Sequence, residues 1–243
     1  MGEQVEIEVP GCGRVGGWLA RPEGPPRGAL VVIQEIFGVN PHMREVADGY
    51  AGDGYLALAP AFFDPIERGL ELGYDKESSR RGRELVDELG MERALAIVDA
   101  SAGWLRAALA VTHEASPTEG ARVGAVGFCW GGTVAYLANT RFGLPAVSYY
   151  GARTPHYLDE ALRAPMMFHF GGKDDSIGPE AVALHREKHP DALAYVYPDA
   201  GHAFNRRIDP GAPMSASAHL AYEPASAHLA HKRTLQLFHD ALH

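Results

Sequence analysis

The run Ala29-Leu30-Val31-Val32-Ile33 restricts what this chain can fold into more than any other segment. Five consecutive apolar residues, rich in β-branched side chains and without polar alternation, need burial on both faces, as in an interior strand of a parallel sheet. Comparable runs recur at Tyr55 to Ala59, Val123 to Gly127, Ala146 to Tyr150, Met166 to Phe170 and Leu193 to Tyr197. Between them the spacing predicts helices at Pro41 to Gly52, Lys76 to Leu89, Met91 to Ala110, Thr133 to Thr140, His156 to Leu162, Pro179 to His189 and Ala225 to Leu242. Within Met91 to Ala110, Leu95, Val98, Ala102 and Leu105 form one apolar stripe. Only the opening differs: Val5 to Val9 alternates with period two, Pro10 to Gly13 breaks it, and Gly17 to Ala20 resumes, which reads as a hairpin. Strands alternating with helices predict an α/β fold, a mostly parallel central sheet with helices on both faces and functional residues at the C-terminal strand ends.

No Ser/Gly-rich linker, charge block or fixed-period repeat divides the sequence, so residues 1–243 read as a single domain. Met214 to Ala230, rich in Ala, Ser and His, reads as a surface loop running into the last helix. The 22 Lys and Arg against 31 Asp and Glu give a formal charge of -9, which repels a phosphate backbone and excludes nucleic acid as a partner. A start of MGEQVEIEV, with no apolar run behind a basic region, and the lack of an uninterrupted apolar stretch of bilayer length point away from secretion and membranes. Two cysteines, Cys12 and Cys129, are too few for a disulfide framework and fit a reducing, cytoplasmic compartment. The twelve histidines are scattered; His185 and His189, four apart on a predicted helix, lack a third ligand nearby and read as solvated surface residues. No metal and no cofactor is expected, and the sequence sets no oligomeric state.

Gly127-Phe128-Cys129-Trp130-Gly131 follows a predicted buried strand and enters a helix. It fits the Gly-x-nucleophile-x-Gly elbow of the α/β-hydrolase fold, with cysteine where serine is usual. The tight turn needs glycine on both sides of the nucleophile, because side chains there would strike backbone. The helix start places the Trp130 N–H where it can face an oxyanion. An inert reading also exists, a small buried thiol in a strand-to-helix turn. Two further segments favour the reactive one. Gly171-Gly172-Lys173-Asp174-Asp175 ends one predicted strand and Ala200-Gly201-His202 follows another, in the order nucleophile, acid, base. Asp174 is expected to orient His202, with Asp175 as the rival acid, and His202 to serve Cys129. Cys12, in a Pro-Gly-Cys-Gly turn, is a bystander.

Together with Gln34-Glu35-Ile36-Phe37-Gly38-Val39-Asn40, the elbow Gly-Phe-Cys-Trp-Gly-Gly, Phe168 to Asp174 and Gly201 to Arg206, the sequence resembles the dienelactone hydrolase (carboxymethylenebutenolidase) family from Ala29 to the final helix. The resemblance implies that Glu35 hydrogen-bonds the resting thiol and that the Ile36 N–H joins that of Trp130 in an oxyanion hole. It also implies arginines that hold a substrate carboxylate: Arg206, and on the predicted helix after Pro65 Arg81 rather than Arg80. Tyr149 is assigned to the substrate pocket. The implied substrate is a small enol-lactone or activated ester bearing a carboxylate, as in aromatic degradation. For Glu35 the structural alternative is a buried acid paired with an arginine, since a bare carboxylate behind an apolar strand is costly. A broader carboxylesterase, or a non-hydrolytic thiol redox sensor or ligand receptor on the same scaffold, are the competing functions.

Overall fold

Each continuous apolar run becomes a strand, and all but the last, Leu193–Tyr197 at the sheet edge, lie in the sheet interior. The computed structural model describes residues 2–112, 122–207 and 222–242. The opening hairpin pairs β1 (Glu3–Val9) with β2 (Gly13–Ala20) antiparallel. β3 (Ala29–Ile33), β4 (Leu56–Pro60), β5 (Val123–Phe128), β6 (Ala146–Tyr149), β7 (Met166–Gly171) and β8 (Leu193–Tyr197) complete one eight-stranded sheet in the order β1-β2-β4-β3-β5-β6-β7-β8. β2 meets β4 antiparallel and every pairing from β4 to β8 is parallel. All residues of β3, β4, β5, β6 and β7 are buried, as runs without polar alternation require.

Helices α1 (Pro41–Gly52), α2 (Lys76–Thr112), α3 (Trp130–Phe142), α4 (Pro179–Lys188) and α5 (Pro224–Ala241) cover the sheet. Asn40 starts α1, its side chain accepting from the Met43 N–H at 3.2 Å. The two helices expected on either side of residue 90 form one run, broken where Gly90 leaves helical geometry at φ 71° and ψ 160°. By length and composition alone α2 would suit a membrane, but Leu85, Val86, Leu89, Leu95, Val98 and Leu105 are buried in the protein core. α1 and α5 meet through the Tyr50 and His231 rings and a His231–Asp53 contact of 2.7 Å.

Two expectations need correction. The helix predicted at His156 to Leu162 is only a 3₁₀ turn at Thr154–Tyr157. The Tyr157 and Glu160 carbonyls face the Tyr136 hydroxyl at 3.0 and 3.1 Å instead of continuing a helix. His185 and His189 are buried rather than solvated: His185 lies edge-on to Phe168 and Phe170, and His189 meets the Tyr136 hydroxyl at 2.9 Å. Part of the low-complexity stretch, 214–221, lies outside the described residues, and α5 takes over from Pro224.

What matters for function is where the strand order reverses. From β3 the chain steps outward to β4 on one side, and from β5 it proceeds through β6, β7 and β8 on the other. The C-terminal ends of β3 and β5, paired at Ile33 and Gly127, therefore border the crevice in which α/β proteins bind ligands.

Candidate active site

At the end of β5 the backbone turns so sharply that Cys129 holds φ 54° and ψ -118°, far from any comfortable conformation for a side-chain-bearing residue. The turn is possible because its flanks are bare: a β-carbon on Gly127 would overlap the Gly131 carbonyl, and one on Gly131 would overlap the carbonyls of Ile33 and Gln34. A Cys129 N–H to Tyr149 carbonyl bond of 3.0 Å ties the elbow to β6. Cys129 is thereby raised above the sheet at the start of α3, where unpaired N–H groups gather.

The segments after β7 and β8 converge on this thiol. His202 Nε2 lies 3.2 Å from Cys129 Sγ, and His202 Nδ1 lies 2.8 Å from Asp174 Oδ2. The Asp174 side chain is wholly buried and its other oxygen accepts from the Ser176 N–H at 2.8 Å, so the carboxylate cannot swing away. Asp175, exposed at the cavity rim, makes no hydrogen bond to the ring. Burial pulls the His202 imidazole toward neutrality, but the charge of Cys129 and the hydrogen bonds to Asp174 and Cys129 outweigh it and raise its pKa to about 10.

Behind β3, Glu35 is buried and bound bidentately by Arg206, Nε to Oε2 at 2.8 Å and Nη2 to Oε1 at 2.9 Å. Burial pushes the Glu35 carboxyl upward, yet Arg206, aided by His42 and His202, holds it below its ordinary value. Arg206 returns to the site through a turn at Ala203 (φ 60°), closed by the Arg206 N–H donating to the Ala203 carbonyl at 2.8 Å. Its guanidinium lies 5.1 Å from the Phe37 ring centre and 4.6 Å from that of Tyr74, whose hydroxyl accepts from Asn40 Nδ2 at 3.0 Å. The expected hydrogen bond from Glu35 to the resting thiol is therefore absent among the described residues. The guanidinium fork occupies both carboxylate oxygens, while the sulfur faces His202.

Ile36 and Trp130 both line a cavity of about 520 Å³ above Cys129. Gln34 orients the first of them: its side chain accepts from the Phe62 N–H at 3.2 Å and donates to the Glu35 carbonyl at 3.2 Å. Because a peptide unit is planar, fixing the Glu35 carbonyl also fixes the opposed Ile36 N–H. Phe37, Val86 and Trp130 give the cavity apolar walls, and Arg83, Arg153, Lys173 and Arg206 give it positive ones. Arg153 is paired with Asp87 and Lys173 with Asp199, whereas Arg83 has no ion pair among the described residues.

Two assignments made from the sequence move. Arg81 does not reach the cavity; it pairs with Glu67 at 3.0 Å, and Arg80 pairs with Glu77 and Glu84. The helix turns Ser79, Arg83 and Val86 toward the cavity instead, at i, i+4 and i+7. Tyr149 is fully buried beneath the site, its hydroxyl 2.7 Å from Thr234 Oγ1, and does not line the cavity. Gln34, Tyr74 and Arg83 were not singled out as site residues from the sequence. The i, i+4 spacing of Ser79 and Arg83 was the one available signal for Arg83.

The profile of the dienelactone hydrolase family matches residues 15–242. The chain belongs to the dienelactone hydrolase family. It is 34% identical over 244 residues to a carboxymethylenebutenolidase of a Pseudomonas species, covering 97% of this chain and 94% of that one. With carboxymethylenebutenolidase 1 of Cupriavidus pinatubonensis it shares 28% identity over 247 residues, covering 98% and 96%. A solved Klebsiella pneumoniae structure assigned as a dienelactone hydrolase superposes with a TM-score of 0.73 at 29% identity, covering 98% of both chains. Membership of the dienelactone hydrolase family makes this chain a hydrolase with the α/β-hydrolase fold.

Proposed function

We propose that this dienelactone hydrolase family member opens a small enol-lactone or activated ester bearing a carboxylate, through an acyl-enzyme on Cys129. The single observation that carries the reading is the continuous relay from Asp174 through His202 to the Cys129 sulfur on a strained elbow. His202 as an imidazolium faces a Cys129 thiolate, which attacks the carbonyl carbon. The developing oxyanion is met by the Ile36 and Trp130 N–H groups. Collapse breaks the ring C–O bond, and the enolate oxygen leaves with the His202 proton. His202 then takes a proton from water, whose hydroxide displaces Cys129 from the thioester and yields the free acid.

Cations on the cavity wall support a carboxylate on the substrate, with Arg206 and Arg83 as its receptors in place of Arg81. The enol-lactone class rests on the family and on the cavity's size, which suits a small ring. A thiol nucleophile fits a reducing cytoplasm, and one domain supplies every site segment.

Trapping with a panel of acidic and neutral esters and lactones, followed by intact-mass and peptide mapping, tests the proposal. An acyl adduct on Cys129 and an inactive Cys129→Ala are expected. An adduct on Cys12, or full activity in Cys129→Ala, overturns it.

A further inference from the structure

Three non-glycine residues among those described hold φ in the left-handed region: Cys129 at 54°, Tyr150 at 43° and Ala203 at 60°. Such strain persists only where the surroundings enforce it, and a bulky aromatic ring is a poor occupant. The elbow accounts for Cys129, and the turn that brings back Arg206 accounts for Ala203. Nothing above accounts for Tyr150.

Its backbone, just past the end of β6, is held by the Tyr150 N–H donating to the His169 carbonyl at 2.8 Å. Its ring lies 5.2 Å from His202 and 5.5 Å from Phe204, centre to centre. The residue is fully buried, yet its hydroxyl has no hydrogen-bond partner. An unsatisfied buried hydroxyl is costly and rare. Burial and the neighbouring Glu35 charge push the phenol well above its ordinary value, so it is a neutral donor, and Arg206 and Cys129 also act on it.

We propose that Tyr150 is a positioning residue whose hydroxyl supplies the hydrogen bond that Glu35 loses when Arg206 turns to a substrate carboxylate. The argument rests on the reading above that the site takes carboxylate-bearing substrates. In the resting structure Arg206 Nε and Nη2 are both spent on Glu35. A ligand carboxylate must win these donors, and a carboxylate left bare in the interior opposes the exchange. An unpartnered buried donor in the same site, coupled electrostatically to both Glu35 and Arg206, removes part of that opposition. Tyr150 thus tunes selectivity for anionic ligands without touching them.

Tyr150→Phe deletes only the hydroxyl and keeps the ring. Wild type and variant are compared by isothermal titration with succinate, by kcat/KM on an acidic and a neutral ester of matched leaving group, and by thermal melting. Expected are a succinate affinity about tenfold or more weaker in the variant and a similar fall in the acidic-to-neutral kcat/KM ratio. The melting temperature should be unchanged or higher, because no bond is lost. Equal succinate affinity in the two proteins, equal losses on both esters, or a lower melting temperature overturns the role. Should succinate fail to bind even the wild type, the carboxylate reading of the site falls, and the role of Tyr150 falls with it. Binding to both proteins alike removes Tyr150 alone.

Discussion

Asp174 meets His202 at 2.8 Å from a side chain with no exposure of its own, while its neighbour Asp175 stands at the cavity rim. Adjacent acids thus have opposite surroundings, and mutating them separates their roles. Asp174→Asn keeps the shape but removes the charge that selects the ring tautomer, so kcat should fall on the order of 10³-fold or more. Asp175→Asn should stay within a few-fold. Steady-state kinetics on one ester checks both, and similar losses would dissolve the distinction.

The charge of Cys129 is the largest influence raising the His202 pKa to about 10. In Cys129→Ala that influence is gone and burial regains weight, so the imidazole should titrate well below 10. Proton–nitrogen NMR of the His202 ring against pH reads the difference directly. A ring that still titrates near 10 in the variant would place the cause in Asp174 instead.

Arg206→Ala should damage the fold as well as selectivity, because it leaves Glu35 buried and unpaired. Losing one partner of such a pair costs about 3–5 kcal/mol. Urea denaturation of Glu35→Gln, Arg206→Ala and the double variant should show the double far less destabilised than the sum of the singles. Arg83 is the cleaner probe of substrate charge, being exposed and without an ion pair among the described residues. Arg83→Ala should lower kcat/KM on acidic esters roughly 3- to 10-fold with no change in the urea midpoint.

Burial holds His42 at about 4 and His169 at about 3, both below the ordinary histidine range. The folded values are depressed, so the unfolded chain takes up these protons first. Stability is complete above about pH 6.5 and is lost as pH falls toward 4 and then 3. His42→Leu also removes a ring nitrogen that has no hydrogen-bond partner. It should flatten the decline between pH 6.5 and 4 by about 3 kcal/mol, measured by urea titration at stepped pH. A decline as steep as in the parent would exclude His42 as its source.

The sheet, the elbow and the meeting of Asp174 and His202 at Cys129 were legible because each depends on local pattern and chain order. Apolar runs fix the strands, and paired glycines fix the elbow. What was left open, or escaped, depends on rotation. Asp174, the expected acid, and its rival Asp175 differ by one residue and point apart. Arg81 and Arg83 differ by two, about 200° around a helix whose register is set by packing against the rest of the protein. Tyr149 and Tyr150 differ by one, and the left-handed backbone at Tyr150 cannot be read from a run of apolar residues. Glu35 is instructive in another way. Its need for an arginine followed from burial, and Arg206 was singled out for the substrate; the structure shows that each is the other's partner.

Those two residues lie 171 positions apart. During synthesis β3 and its acid are complete long before the arginine leaves the ribosome. Until then the carboxylate must remain in water, since enclosing it alone is penalised. Closing the crevice between β3 and β5 around an ionised Glu35 is therefore penalised in a chain that still lacks Arg206. The last sixth of the polypeptide thus supplies the charge on which closure of the site depends.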